Sequence, residues 1–158
     1  MKKESRLKEL RVNYPSSKKQ NIDEKITSSK KAYDLLLKSF DKNTIGCQEQ
    51  FNVMFLNNAN IPLGVYKASK GGLTSTVADI RLILAMALKT LASGIILSHN
   101  HPSGNLFPSD SDIKLTRKFK EACELLDITL LDHLIISPFG GCFSFADDGL
   151  MNQQIKNS

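Results

Sequence analysis

Two histidines that stand two positions apart, directly after a short apolar segment, constrain this chain most strongly. The segment at residues 94–98 is rich in β-branched side chains, which is typical of a buried strand. Because alternate side chains of a strand point to the same face, His99 and His101 can converge on one ion. The sequence therefore predicts a pair of imidazoles at the end of a buried strand.

A turn and a helix start follow the histidine pair. Residues 102–105 are turn formers, and Ser109 stands where a helix N-cap is expected. A helix that begins at Ser109 brings Asp112 round by about one turn, where its carboxylate can supply a third ligand. Two histidines and one aspartate suit Zn²⁺, and three protein ligands leave a fourth position for water, as in catalytic zinc sites. The alternative is hydrogen-bonded strand-end histidines and a carboxylate that only favours the helix N-terminus.

The complete motif resembles that of a known enzyme superfamily. The histidine pair, a serine after seven further residues and an aspartate after two more match the signature of the JAMM (JAB/MPN+) zinc metalloproteases without a gap. The residues that carry this resemblance are His99, His101, Ser109 and Asp112. The resemblance implies that the two histidines and Asp112 bind zinc.

Three segments are similar to the RadC family within this superfamily. They are HNHPSG at residues 99–104, LLDHLII at residues 130–136 and SFADDG at residues 144–149. The similarity covers residues 25–150 and implies an α/β fold, a mixed-sheet α/β/α sandwich with the cytidine-deaminase-like JAB/MPN architecture.

The resemblance also implies a catalytic carboxylate upstream of the motif. In JAMM enzymes such a group holds and deprotonates the zinc-bound water, and Glu49, just before a strand-like run at residues 50–56, is the candidate. Zinc brings the pKa of its water close to neutrality, so the carboxylate can act as general base and return the proton to the leaving amine. Composition alone would favour a solvated charge at a strand end.

Three further side chains receive roles through the same resemblance. Ser109 is expected to stabilise the oxyanion of the tetrahedral intermediate, and it can cap a helix at the same time. Asp132 and His133 lie within the RadC-like segment although the ligand set is complete without them. Support of the metal ligands and plain core packing are equally good interpretations of these two residues.

Hydrophobic periodicity predicts helices and strands in a mixed order. Helices are expected at residues 23–40, 74–91 and 109–126, and strands at residues 51–56, 61–68, 94–98, 128–137 and 142–145. The first two strands read as an antiparallel hairpin. An extended peptide that adds to an open strand edge beside the histidines is the expected mode of substrate binding.

Length and composition predict one folded domain. A chain of 158 residues with 41% hydrophobic residues can bury one core. We expect a basic, flexible arm at residues 1–22, a RadC-like JAMM domain at residues 23–150 and a C-terminal tail at residues 151–158. There is no apolar run of about 18 residues and no signal-peptide core, so a cytoplasmic protein without membrane contact is expected. The three cysteines lack metal-site spacing and are expected to be free thiols.

The net charge of +5 lies in the N-terminal arm. Residues 1–20 contain seven basic and two acidic side chains, and the remaining residues are balanced. Such a segment is usually solvated, and weak, salt-sensitive contact with nucleic acid is a possible use of it. The helix-hairpin-helix region usual in RadC proteins is not found in this sequence. The sequence also departs from the RadC pattern at residues 77–81, where the family commonly has a Pro-Arg-Glu segment.

Two functions from different classes follow. The first is a zinc-dependent peptidase or isopeptidase-like amide hydrolase that acts on a peptide or protein. The alternative is a DNA-associated accessory or DNA repair factor in which the zinc site is structural or vestigial. Zinc deaminases share the implied architecture, but their HxE or CxE pair and PCxxC segment are both missing here. The sequence leaves open the identity of the substrate and the oligomeric state.

Overall fold

The computed structural model describes residues 24–71 and 78–152, and the structural statements below refer to these ranges. Five strands and three α-helices follow one another as α1 (Ser29–Leu36), β1 (Gln50–Leu56), β2 (Pro62–Lys70), α2 (Ile80–Lys89), β3 (Gly94–Asn100), α3 (Asp110–Glu124), β4 (Thr129–Ile136) and β5 (Cys142–Ser144). Short 3₁₀ turns lie at Leu37–Ser39 and Leu150–Asn152. The predicted arm at residues 1–22 and most of the predicted tail lie outside the described residues.

One mixed sheet organises the chain. Its strand order is β2-β1-β3-β4-β5, in which β3 and β4 are parallel and the other neighbours are antiparallel. Every residue of β1 and β3 is buried, because both strands lie inside the sheet with helices on both faces. The predicted α/β fold is confirmed.

Alternate residues of the central strands feed two separate hydrophobic cores. On one face, Val53 and Leu97 pack with Phe119 of α3 and with residues of α2. On the other face, Met54 and Ile96 pack with residues of α1. The sheet is therefore covered by α1 on one side and by α2 and α3 on the other, which gives three layers.

The first helix is shorter than the predicted residues 23–40. Ser28 is its N-cap, because the Ser28 side chain accepts a hydrogen bond from the backbone N–H of Lys31 at 3.2 Å. Ile26 lies before the helix, where its N–H donates to the carbonyl of Asn60 at 2.9 Å. The apolar side chain of Ile26 belongs to the core of α1 without belonging to the helix.

The second helix is also shorter than predicted. Of the predicted residues 74–91, residues 74–77 lie outside the described part of the chain, and α2 begins at Ile80 after an Asp79 cap. The Asp79 carboxylate accepts from the backbone N–H of Arg81 at 2.9 Å and pairs with its exposed guanidinium. Arg81, the last residue of the atypical segment 77–81, therefore makes a local contact at the helix start. None of the described helices is long and apolar enough to cross a membrane.

Truncation of Phe119 is expected to destabilise the protein strongly. Its side chain is fully buried between α3 and the sheet, so Phe119→Ala leaves a cavity and should cost about 3–5 kcal/mol of unfolding free energy. Leu125→Ala is the control, since Leu125 is 86% exposed and should change stability by less than about 0.5 kcal/mol. Urea denaturation of both variants measures the difference, and equal stabilities would contradict this packing.

Candidate metal centre

The histidine pair lies where β3 leaves the sheet. His99 is still within β3, one residue beyond the predicted strand end, and it pairs in register with Phe51 of β1 and Ile135 of β4. His101 is the first residue after the strand, and its N–H donates to the carbonyl of Ile136 at 3.1 Å. Neighbours on both sides therefore fix the backbone of the pair.

The N-terminus of α3 places Asp112 opposite these imidazoles. Ser109 and Asp112 form a capping box, in which the Ser109 Oγ accepts from the Asp112 N–H at 3.2 Å. In return, Asp112 Oδ2 accepts from both the N–H and the hydroxyl of Ser109, each at 2.7 Å. The predicted helix start at Ser109 is confirmed, and the cap orients the carboxylate.

Three potential ligand atoms converge as the sequence predicts. His99 Nε2 lies 3.0 Å from His101 Nε2 and 3.1 Å from Asp112 Oδ1, and His101 Nε2 lies 3.4 Å from Asp112 Oδ2. One atom from each of the three residues falls within a 4.8 Å group. The cluster has the dimensions that a metal site requires, and metal ligation by these residues stays a prediction.

A chain of buried hydrogen bonds determines which nitrogen of His99 carries a proton. The Thr116 hydroxyl donates to the Asp112 carbonyl at 2.6 Å, so its oxygen accepts from Nδ1–H of His133 at 2.6 Å. His133 Nε2 then accepts from Nδ1–H of His99 at 2.8 Å. Burial lowers the pKa of His133 well below its usual range, which keeps this ring neutral. In a neutral His99 ring, Nε2 is then the nitrogen with the lone pair.

A single hydrogen bond determines which nitrogen of His101 carries a proton. Its Nδ1 lies 2.7 Å from the carbonyl of Asn105, an acceptor, so Nδ1 carries a proton and Nε2 is the acceptor atom in the neutral ring. When both rings are neutral, two lone pairs face each other across 3.0 Å beside a carboxylate, and a proton or a metal ion between them relieves this arrangement. The donor set therefore fits a metal ion.

The charges of the cluster shift the pKa values of its members. The hydrogen bond to Asp112 is the largest cause that raises the pKa of His101, and burial opposes it. Burial likewise disfavours the charged form of Asp112, but the hydrogen bonds from His101 and His99 outweigh burial and hold the pKa of this carboxyl well below its usual range. Asp112 is therefore anionic, as a ligand must be.

Glu49 lies at the same edge of the sheet. It is half-buried directly before β1, and its carbonyl accepts from the N–H of Gly71 at 2.8 Å. Its charge contributes to the raised pKa of His101, so the carboxylate acts on the cluster. The predicted general base is thus near the predicted ligands, and its role stays a prediction.

Comparison with known proteins agrees with this geometry. Residues 26–150 match the RadC-like JAB domain family. The chain belongs to that family. A UPF0758 protein of Flavobacterium johnsoniae is 44% identical over 126 residues, which cover 80% of this chain and 53% of that protein. A UPF0758 protein of Porphyromonas gingivalis is 48% identical over 104 residues, which cover 66% of this chain and 46% of that protein.

The RadC-like JAB domain spans about half the length of the curated relatives that it matches. A UPF0758 protein of Aquifex aeolicus shows the same proportion, with 36% identity over 126 residues that cover 80% of this chain and 52% of that protein. The resemblance inferred from the motif is therefore confirmed at the level of the family.

Asp132 and His133, for which the sequence allowed the same two interpretations, have different surroundings in the structure of this RadC-like domain. His133 contacts the cluster through His99, whereas Asp132 points elsewhere and accepts from the Ser144 hydroxyl at 2.6 Å and the Ala146 N–H at 3.0 Å. Burial raises the pKa of Asp132, although these hydrogen bonds oppose that shift. Asp132 therefore holds residues 144–146, at the end of β5, in place. Phe145 of this segment stacks on the His133 ring, with centroids 4.9 Å apart.

Sequence reasoning missed Thr116, which joins α3 to His133. The missed signal was its position four residues after Asp112, which places both residues on one face of the helix. A hydroxyl on the face that also carries Phe119 needs a polar partner when it is buried.

Removal of the Thr116 hydroxyl is expected to weaken metal binding. Thr116→Val leaves His133 Nδ1 without its acceptor and frees the His99 tautomer, so affinity for zinc should fall by about 10- to 100-fold. Thr116→Ser keeps the hydroxyl and should bind almost as tightly as the unchanged protein. Competition with a chromophoric chelator gives the dissociation constants, and equal affinities for the two variants would contradict the proposed chain of hydrogen bonds.

Zinc binding is expected to weaken as the pH falls. His101 must lose its proton to bind through Nε2, and because its pKa is raised, protons compete already above pH 6.5. Below the raised pKa, the apparent affinity should decrease by about tenfold per pH unit for each displaced proton. Isothermal titration at several pH values measures this slope, and a constant affinity between pH 8 and pH 5.5 would contradict it.

Proposed function

We propose that the chain is a zinc-dependent hydrolase that cleaves amide bonds of peptide or isopeptide type. The observation that carries the proposal is the convergence of the Nε2 atoms of His99 and His101 on the Asp112 carboxylate, close enough to Glu49 for its charge to act on His101. A purely structural zinc site is normally closed by four protein ligands, whereas this cluster offers three from the part of the chain that the structure describes. A three-ligand site next to a separate carboxylate suits hydrolysis.

The donor set favours zinc over magnesium or calcium. Imidazole nitrogen and carboxylate oxygen are both common zinc ligands, and magnesium or calcium sites use oxygen donors almost entirely. His99, His101 and Asp112 would hold the ion. When bound, zinc supplies a Lewis acid that polarises a carbonyl and makes water acidic enough to be deprotonated near neutral pH.

Glu49 is the proposed general base. Its carboxylate takes a proton from the attacking water and passes it to the departing amine, so the cleaved nitrogen leaves as a neutral group. If Glu49 is the general base, replacing its carboxylate with the neutral amide of glutamine should cause loss of turnover.

Ser109 is proposed to act on the substrate oxygen. Its hydroxyl donates to Asp112 Oδ2, and rotation about its side-chain torsion redirects this proton to an oxyanion. The backbone N–H of Ser109 stays on the same carboxylate oxygen during this exchange, so Asp112 keeps one hydrogen bond from the cap.

An extended peptide is the proposed form of the substrate. Among the described residues, β2 has a strand neighbour on one side alone, and its Lys70 end pairs with Gln50, the residue after Glu49. A peptide that adds to this edge gains backbone hydrogen bonds and reaches the end of the sheet at which Glu49 lies, with β1 between the peptide and β3. This open edge supports an extended peptide as the proposed substrate.

Metal content and turnover of two variants test the proposal. His101→Ala removes a ligand and should reduce bound zinc from about one ion per chain to near zero. Glu49→Gln should keep the ion but lower hydrolysis of a quenched-fluorescent peptide library by about 100-fold or more. Elemental analysis of protein purified without a metal-binding tag gives the first value, and fluorescence gives the second.

Two results would contradict this function. A wild-type protein without zinc, or loss of zinc in Glu49→Gln, would mean that the roles of the ligands and the base are assigned wrongly. Bound zinc without hydrolysis of any library member would favour a structural site, and the DNA-associated function would then be tested by binding at several salt concentrations with and without residues 1–20.

A further inference from the structure

The residue between the two histidines makes contacts of its own. Asn100 is fully buried, and because side chains alternate along β3, it points away from the face of His99. Its amide oxygen accepts from the N–H of Gln50 at 2.7 Å. Its amide nitrogen donates to the carbonyls of Ile45 at 2.7 Å and Gln48 at 3.0 Å. All three partners are backbone groups just before or at the start of β1.

Two of these partners belong to the peptide groups on either side of Glu49. The Gln48 carbonyl is part of the peptide that joins residues 48 and 49, and the Gln50 N–H is part of the peptide that joins residues 49 and 50. Peptide groups are planar, so fixing both planes fixes the φ and ψ angles of the residue between them. The Gly71 N–H also holds the second of these peptides, through the Glu49 carbonyl at 2.8 Å. The Asn100 amide is the group that contacts both peptides, and it therefore restrains the direction in which the Glu49 side chain leaves the backbone.

The contact continues the sheet where its backbone ladder stops. Antiparallel pairing of β1 and β3 ends at Phe51 and His99, and the Asn100 side chain takes the next position opposite Gln50. An asparagine suits this position because its one planar group carries an acceptor and two donor hydrogens. Ionised aspartate would lack the donors, and alanine would leave the buried Gln50 N–H and two partly buried carbonyls without this partner.

We propose that Asn100 is a positioning residue for Glu49, so the stretch His99-Asn100-His101 both carries two metal ligands and sets the place of the base. The part of the proposal that concerns catalysis rests on the proposed function of Glu49. Holding a catalytic group in its productive place matters because a displacement of about 1 Å can reduce a rate by about 100-fold.

Nuclear magnetic resonance of the cobalt-substituted protein tests the positioning directly. Cobalt(II) shifts and broadens signals of nearby atoms, so the Glu49 amide and side-chain methylene signals report their distances from the metal. Asn100→Ala should keep one cobalt ion per chain and move these Glu49 signals. Asn52→Ala is the matched control, since Asn52 is a buried amide on β1 that donates to Ser39 Oγ at 2.9 Å and should leave them unchanged.

A second pair of variants separates positioning from general destabilisation. In a protein with Glu49, Asn100→Ala should lower kcat for the peptide library by about 100-fold. In the Glu49→Gln background the same change should alter the remaining rate by less than about twofold, because the group it positions is gone. A purely structural role would lower both rates equally. If Asn100→Ala does not fold, Asn100→Asp replaces it, since it keeps the acceptor for Gln50 and loses the two donors.

The outcomes distinguish the positioning role of Asn100 from the proposed hydrolase function on which it partly rests. Unchanged Glu49 signals in folded, cobalt-bound Asn100→Ala or Asn100→Asp would overturn the positioning role whatever the activity. Shifted Glu49 signals in a protein that hydrolyses nothing would support the positioning role and overturn the proposed hydrolase. If cobalt does not bind, the metal site fails, and the exchange rate of the Gln50 amide decides: faster exchange in Asn100→Ala than in Asn52→Ala supports the contact, and equal rates overturn it.

Discussion

The hydrogen bond between His99 and His133 connects the cluster to the middle of the sheet, and the rest of the site depends on it. It exists because β3 and β4 run parallel, joined by a crossover through α3. The crossover brings β4 beside β3 and at the same time supplies Thr116 and Asp112 from its own helix. The single β3-α3-β4 unit thus provides all three predicted ligands and the groups that orient them.

The surroundings of this hydrogen bond are apolar and rigid. Phe145 stacks on His133 on one side, and Phe51 lies nearly parallel to the His99 ring at 6.0 Å between centroids. Rings that are packed in this way have little freedom to rotate, so the tautomers are held by geometry as well as by hydrogen bonds. A buried neutral histidine such as His133 needs such a setting, because water would stabilise its charged form.

The ligand cluster and the order of elements were predictable from local sequence. The histidine spacing, the turn and the cap at Ser109 depend on neighbours within one turn of chain, and the structure places them as expected. The different roles of Asp132 and His133 were not predictable. A register shift in β4 puts Leu130 in one core and Leu134 in the other, although simple alternation would place both on one face. This irregularity turns His133 towards His99, and no local sequence pattern predicts it.

Long-range polar contacts escaped prediction for a related reason. Asn100 and its partners are about 50 residues apart in the chain, so their meeting depends on the pairing of β1 with β3. Boundaries of α1 and α2 moved because Ser28 and Asp79 cap them later than hydrophobic periodicity suggested.

The double use of Asp112 limits how this site can change during evolution. Its Oδ2 atom closes the capping box of α3 while its Oδ1 atom faces His99. Replacing Asp112 by histidine or cysteine, a route to a different metal preference, would remove the predicted ligand together with the acceptor for the Ser109 N–H. The Ser109 Oγ would still cap the backbone N–H of residue 112, so half of the capping box would remain. A change of metal would therefore also weaken the start of α3, which couples the predicted metal preference to the stability of this helix.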